Sequence, residues 1–138
     1  MNSEQIPGLL RAIDLVFPAI EKHRRILADE EGSPLYITEH LRGILRTYAL
    51  VVGGLKIELE RVQGLDFATR FVAHDDFTNG VEAEEELHTK LAQAAADEDS
   101  DETERLQPLW IDALKRTDTA AIQYATLPLA PPTSPSVS

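Results

Sequence analysis

The sequence predicts an all-α fold, a small helical bundle of four or five helices. Apolar residues recur at intervals of three and four along most of the chain, and charged residues fill the positions between them. Glycines, prolines and other turn formers separate these periodic segments. The 138 residues, 43% hydrophobic and 27% charged, suit one folded domain and suit neither a disordered chain nor a membrane protein.

The first helix is predicted from the stripe Leu9, Ile13, Val16, Ile20 and Leu27. Pro18 lies inside this stripe and lacks a backbone N–H, so we expect a kink or a break near Val16 and Phe17. The segment Gly32-Ser33-Pro34 ends the helix. Ser33 is expected to cap the next helix, with Pro34 as its first residue.

The second helix is predicted over Tyr36 to Val62, with Thr38 as an alternative cap. Its middle, Ala49 to Leu55, is apolar on every face and is therefore expected to be buried all round. Gly53 and Gly54 lower helix propensity, which indicates close approach of a neighbouring element or a bend. Packing within the chain explains this stretch, and Val51, Gly53 and Gly54 are also candidate contacts for a partner.

An alternative α+β fold would place a small β-hairpin at residues 55–73. Leu55 to Glu60 alternates strictly between apolar and polar, and Phe67 to Val72 is rich in strand formers, with Gly64 between the two runs. We prefer the all-α fold because Leu55, Leu59 and Val62 also fit a helical period. No other segment supplies strands to complete a sheet.

The second half of the chain is predicted to contain a loop and two further helices. The apolar pattern lapses at residues 74–76, and Thr78-Asn79-Gly80 is typical of a turn. A short helix is expected over Val81 to Ala96, because Glu84, Glu85 and Glu86 suit the positive end of a helix.

The last helix is predicted from the apolar stripe that begins at Leu106 and Leu109. Trp110, the only tryptophan, is expected to anchor a core. Ile122 extends the stripe after a pause near Thr117-Asp118. These elements define one domain over residues 1–127. The Pro- and Ser-rich tail, residues 128–138, favours extended or disordered conformations and has no core to join.

The negative charge of the chain is concentrated in one segment. The net charge is −11, and Glu82 to Glu104 alone holds ten acids and one base, Lys90. Residues 97–102, DEDSDE, resemble the start of a calcium loop, but Glu102 occupies the glycine position and Pro108 the final ligand position. We therefore predict an acidic interhelical loop near 97–104.

This acidic loop is a candidate surface for a basic partner. The candidate contacts are Asp97, Glu98, Asp99, Asp101 and Glu102. Direct binding of nucleic acid is not expected, since the negative charge repels phosphate. Membrane insertion is not expected either, because the longest apolar stretch, Tyr48 to Leu55, is too short to span a bilayer.

Several chemistries lack their residues in this sequence. The chain has no cysteine, which excludes disulfides and thiolate metal sites, and its first residues do not read as a secretory signal, so we expect a cytoplasmic protein. No phosphate-binding glycine loop and no serine nucleophile motif is present. Glu85 and His88 share one helix face and are weak metal candidates, but the second Glu-x-x-His of a di-iron bundle is absent. We predict no metal and no cofactor.

Three functions fit these observations. The first is a non-catalytic protein that acts as a protein–protein interaction subunit of a larger assembly or as a regulator, with a homo-oligomer as one form of assembly. The second is a metal-dependent helical-bundle enzyme that uses Glu85 and His88. The third is an acidic mimic of nucleic acid that blocks a basic protein, supported by the segment Glu82 to Glu104.

Overall fold

The computed structural model describes residues 2–130, which form four α-helices and no β-strand. After a 3-10 turn at Asn2–Gln5, the helices are α1 (Ile6–Asp29), α2 (Leu35–Gln63), α3 (Ala68–Ala96) and α4 (Ser100–Thr126). The predicted all-α bundle is therefore confirmed, with four helices. In the described part of the chain, no helix combines the length and the apolar character that crossing a bilayer requires.

The four helices pack as two helical hairpins. Helix α1 packs on α2, α3 packs on α4, and the contact between α2 and α4 joins the two hairpins. The apolar core lies where the hairpins meet. Its buried members are Ile13, Ile20, Leu45, Ala49, Val52, Leu59, Ala121 and Ala125.

The far part of the second hairpin lies outside this core. Among the described residues, the core and the side chains packed against it include Phe77 and Ala121 but none from 78 to 120. We call residues 78–120 the distal hairpin. It has its own smaller buried set, which includes Leu106 and Trp110. Trp110 is 7% exposed, so the prediction that it is buried is confirmed.

Helix α1 is continuous through Pro18, so of the predicted kink or break near Val16 and Phe17 the break is wrong. The proline leaves the carbonyl of Asp14 without its helical donor, but Asp14 and Pro18 lie on the exposed face, where water can bind that carbonyl. Ile13 and Ile20 are buried in the core on either side of the proline. Packing of both halves therefore holds the helix together.

Helix α2 begins without a capping side chain, so both predicted caps are wrong. Pro34 is the residue before the helix rather than its first residue. Ser33 Oγ instead donates to Glu30 Oε2 at 3.0 Å, and Thr38 Oγ1 donates to the carbonyl of Leu35 at 3.0 Å.

The alternative β-hairpin at residues 55–73 is wrong. Residues 55–63 belong to α2, and residues 68–73 belong to α3. Gly64 ends α2 in the left-handed conformation, with φ of 71°, and the N–H of Leu65 bonds the carbonyl of Glu60 at 2.8 Å. This helix-ending turn explains the glycine that the sequence offered as a hairpin turn.

Helix α3 is also continuous, so the loop predicted at residues 74–76 and the turn at Thr78-Asn79-Gly80 are both wrong. Gly80 lies so close to Thr117 of α4 that a Cβ at this position would collide with its side chain. The glycine therefore permits close helix packing rather than a turn. Phe77 packs against the core, whereas Asp75, Asp76, Thr78 and Asn79 lie on the exposed face of the helix.

The pause predicted near Thr117-Asp118 is absent, because α4 runs unbroken through both residues. Both are buried. Thr117 Oγ1 donates to the carbonyl of Ala113 at 2.9 Å, and Asp118 accepts hydrogen bonds from two arginines of α2. The polar residues that suggested a pause are the polar contacts of a buried helix face.

The stretch Ala49 to Leu55 is buried on one side only. Ala49, Val52 and Gly53 are buried, but Val51 is 44% exposed and Gly54 is exposed, so the expected all-round burial is wrong. The close approach inferred at the glycines is confirmed for Gly53, which faces the ring of Tyr124. An ordinary one-sided helix face therefore explains most of this segment.

Candidate functional site

The acidic segment occupies the free end of the distal hairpin. The expected loop near 97–104 consists of a short turn, Asp97 to Asp99, followed by the first turn of α4. The turn is closed by hydrogen bonds from the N–H groups of Asp97 and Asp99 to the carbonyls of Gln93 and Ala94, both at 2.9 Å. Within this turn, the backbone of Glu98 is in the left-handed conformation, with φ of 56°. The acids are thus presented on a defined backbone.

Some of these acids have roles within the hairpin. Asp99 caps α4, because its Oδ1 accepts a hydrogen bond from the N–H of Glu102 at 3.1 Å. Glu102 pairs with Arg105 at 2.7 Å, and this hydrogen bond lowers the pKa of the Glu102 carboxyl. Asp97 Oδ1 accepts a hydrogen bond from Gln93 at 3.0 Å. Asp99 and Glu102 therefore stabilise the start of α4 in addition to any outward role.

The other acids of this segment are exposed and mostly unpaired. We call residues 82–104 the acidic tip. Within the described chain, five of its exposed carboxylates have no ion pair and no side-chain hydrogen bond: Glu82, Glu85, Glu98, Asp101 and Glu104. Asp97 has only its bond to Gln93, and Glu86 pairs weakly with Lys90 at 3.3 Å. The surface therefore carries negative charge that the protein itself does not neutralise.

Glu84 is the buried exception within the acidic tip, and it anchors the hairpin to α2. Its two oxygens accept hydrogen bonds from Arg46 at 3.0 and 2.5 Å. Arg46 also donates to Asp118 Oδ1 at 2.8 Å and to the carbonyl of Leu114 at 3.0 Å. Arg42 completes the cluster, with its Nε 2.7 Å from Asp118 Oδ2. These bonds connect α2 to both helices of the distal hairpin.

A second buried ion pair lies at the opposite end of α2. Arg70 and Glu60 form a two-bond pair at 3.0 Å, and their side chains are 1% and 2% exposed. Arg70 also donates to the carbonyls of Tyr124, Leu127 and Pro128. Glu60 additionally accepts the N–H of Ala130 at 3.0 Å, so the start of the Pro-rich segment is fixed to the bundle. Residues 131–138 of the predicted tail lie outside the described part.

The candidate contacts at Val51, Gly53 and Gly54 do not share a surface with the acidic tip. Gly53 is buried against Tyr124, near the end of α4, whereas the acidic tip surrounds the start of α4. At 1.5 Å per residue, the 24 residues from Ser100 to Tyr124 span roughly 36 Å. The two sets therefore form separate features.

Glu85 and His88 are both exposed on α3. The His88 ring lies beside Trp110 of α4, with 5.4 Å between ring centroids. Among residues 2–130, no three histidine or acidic side chains are grouped closely enough to hold a metal ion. The described residues therefore supply no ligand set for a metal-dependent enzyme.

A cavity of about 780 Å³ opens between the end of α1, the start of α2 and the middle of α4. It lies beside the Arg42–Asp118 pair. No local pattern in the sequence indicates this cavity, because the residues that line it come from three helices and become neighbours only in the fold. We call it the interhelical cavity.

Comparison with known proteins does not extend these observations. No protein-family model, no curated protein and no solved structure matches the chain. Function must therefore be argued from the geometry of this molecule.

Proposed function

We propose that the protein is non-catalytic and acts by binding another protein, as a subunit or regulator of a larger assembly. In this proposal the acidic tip is the binding surface, and the partner presents a basic surface. We also propose that the protein acts in the cytoplasm, because a chain without cysteine gains nothing from an oxidising compartment.

One observation carries the proposal: most of the net negative charge of the protein lies on a part that is outside the main apolar core. The acidic tip has a net charge of −9 out of −11, and it belongs to the distal hairpin, which contributes nothing to the main core. Concentrated like charges repel one another and lower stability. A partner with basic residues removes that repulsion and associates faster through electrostatic attraction.

The anchoring of the hairpin supports the same proposal. Arg46 donates two hydrogen bonds to the oxygens of Glu84, one to Asp118 and one to the carbonyl of Leu114. Such bonds fix the distal hairpin relative to α2. The carboxylates are therefore held in place before a partner arrives, which lowers the entropy lost on binding.

The same charge argues for a different protein as the partner rather than a second copy. Two copies would bring net charges of −11 together. Residues 1–81 still carry a net charge of −3, so they offer no strongly basic face to a neighbouring tip.

The test compares two variants with the same loss of charge. The tip variant carries Asp97→Asn, Glu98→Gln, Asp101→Asn and Glu104→Gln. The body variant carries Asp14→Asn, Asp29→Asn, Asp75→Asn and Asp76→Asn, all at exposed positions outside the tip. Each has a net charge of −7 instead of −11. Asp99 is left unchanged in both because it caps α4.

Both variants and the wild-type protein are used to capture proteins from the native lysate at increasing salt. The proposal predicts at least one basic protein that wild type and body variant retain, that the tip variant loses, and that salt releases. Equal retention by all three chains, or capture of no protein by wild type, contradicts the proposal. If the captured protein binds DNA or RNA and this chain displaces the nucleic acid, the partner interaction is that of a nucleic-acid mimic.

A further inference from the structure

The walls of the interhelical cavity are mostly apolar. They comprise Leu27 of α1, Leu35 and Leu45 of α2, and Ile111, Leu114 and Ile122 of α4. The volume of about 780 Å³ lies within the range of roughly 300–1,000 Å³ that is usual for small-molecule sites. An apolar cavity of this size can take up the body of an organic ligand and release the water that covers its walls.

One partly buried cation in the wall has unused donors. Arg42 lines the cavity, and its side chain is only 12% exposed. Its Nε donates to Asp118, but neither of its two Nη nitrogens forms a hydrogen bond with any residue from 2 to 130. A guanidinium whose donors are unsatisfied away from bulk water favours an anionic partner.

The start of α2 adds further donors at the same place. Ser33, Leu35 and Thr38 line the cavity, and α2 has no side-chain cap. The N–H group of Leu35 has no acceptor in the described chain, and the helix dipole makes this end positive. Arg24 and Lys115 also line the cavity and pair with Glu21 and Glu31. Asp118, another carboxylate of the lining, pairs with Arg42 and Arg46.

We propose that the interhelical cavity binds a small amphipathic carboxylate. The carboxylate group accepts hydrogen bonds from the two Nη nitrogens of Arg42, whose fork matches two carboxylate oxygens. The aliphatic body of the ligand lies against the leucine and isoleucine walls. This site is separate from the acidic tip, because it lies between α1, α2 and the middle of α4, and it does not depend on the proposed partner binding.

Decanoate is a suitable probe, with decanol as an uncharged ligand of the same chain length. Titration by isothermal calorimetry and by amide NMR is expected to show one decanoate site, with shifts concentrated in residues 24–45 and 111–122. Decanol is expected to bind at least 10-fold more weakly. Equal affinity for the two probes, shifts outside these segments, or no binding of decanoate overturns the proposal.

Two matched variants separate the role of Arg42 from general effects of charge. Arg42→Lys keeps the charge beside Asp118 but removes the fork, and it is expected to weaken decanoate binding at least 5-fold. Arg61→Lys is the control, because Arg61 is exposed at the other end of α2 and pairs only with Glu58. Its affinity is expected to equal that of wild type. If Arg42→Lys, shown to be folded by circular dichroism, binds as wild type does, the assignment of the carboxylate to Arg42 is wrong.

Discussion

Gly53 of α2 lies against the aromatic ring of Tyr124 of α4, with no room between the helices for even a methyl group. Gly54, the next residue, is exposed, and a Cβ there would be 4.0 Å from the Tyr124 hydroxyl, an ordinary contact distance. Two adjacent glycines in one helix therefore have opposite roles. Gly53 sets the distance between the two hairpins, and Gly54 only weakens the helix.

Alanine at these two positions is expected to change stability in opposite directions. Gly53→Ala forces the Tyr124 ring or the helices apart, and overpacking of this kind lowers the free energy of unfolding by about 1–3 kcal/mol. Gly54→Ala raises it by up to about 1 kcal/mol through helix propensity. Urea unfolding followed by circular dichroism measures both. Equal effects of the two substitutions would disprove the close packing at Gly53.

The buried pair of Arg70 and Glu60 is expected to dominate the stability of its end of the bundle. Arg70→Met leaves Glu60 charged and buried without a cationic partner, which costs about 3–5 kcal/mol of unfolding free energy. Arg70→Lys retains the charge but has fewer donors. Its stability should therefore lie between that of Arg70→Met and that of wild type. Arg61→Met, which breaks the exposed pair with Glu58, is the control and should leave stability unchanged. Thermal melts of the four chains test this order, and equal melting temperatures for Arg70→Met and Arg61→Met would refute it.

Asp99 is expected to matter for stability more than any other acid of the turn. Asp99→Ala removes the hydrogen bond to the N–H of Glu102 and lowers the unfolding free energy by about 1 kcal/mol. Asp99→Asn keeps an accepting oxygen and should cost less, since asparagine caps about as well. Asp101→Asn, two residues later in the first turn of α4, is the control. Denaturation curves that give Asp101→Asn a lower free energy of unfolding than Asp99→Ala would contradict the capping role.

Alkaline pH is expected to destabilise the protein partly through Tyr124. Burial raises the pKa of this hydroxyl above its ordinary value of 10.0, and the neighbouring Glu60 carboxylate raises it further, while Arg70 opposes both. The folded chain therefore holds the Tyr124 proton more tightly than the unfolded chain. Its stabilising contribution is complete below pH 10 and is lost as the pH rises from 10 through the folded pKa.

The measurement is urea unfolding between pH 9 and pH 11 for wild type and two phenylalanine variants. Tyr124→Phe should lose less stability over this range than wild type. Tyr36→Phe, at a residue that is 73% exposed, should lose as much as wild type. The same loss in all three proteins would show that Tyr124 does not contribute to the pH dependence.

Local patterns in the sequence predicted the helices but not their continuity. The period of apolar residues located α2 to within one residue at each end, because that helix buries one face along its length. The same rule failed at His74 to Gly80. There the helix continues because Phe77 packs on the core and Gly80 packs closely against Thr117 of α4, which is 37 residues away in sequence. A single sequence does not show which residues will meet.

The candidate sites also differ in whether local sequence patterns could predict them. The acidic tip is contiguous in sequence and was therefore visible in the charge pattern. The buried ion pairs join residues that are far apart, such as Arg46 with Asp118, at a separation of 72 residues. Each of these residues resembles an ordinary surface charge when the sequence is read alone. Arg42 and the interhelical cavity were missed for this reason.

If a partner covers the acidic tip, the amides of that segment must be protected in the complex. Amide hydrogen exchange is measured on the free chain and on its complex with the captured protein. We expect exchange to slow in residues 82–104 and to be unchanged in α1 and in the first half of α2. Slower exchange in those helices, with residues 82–104 exchanging as in the free chain, would contradict the proposed role of the acidic tip.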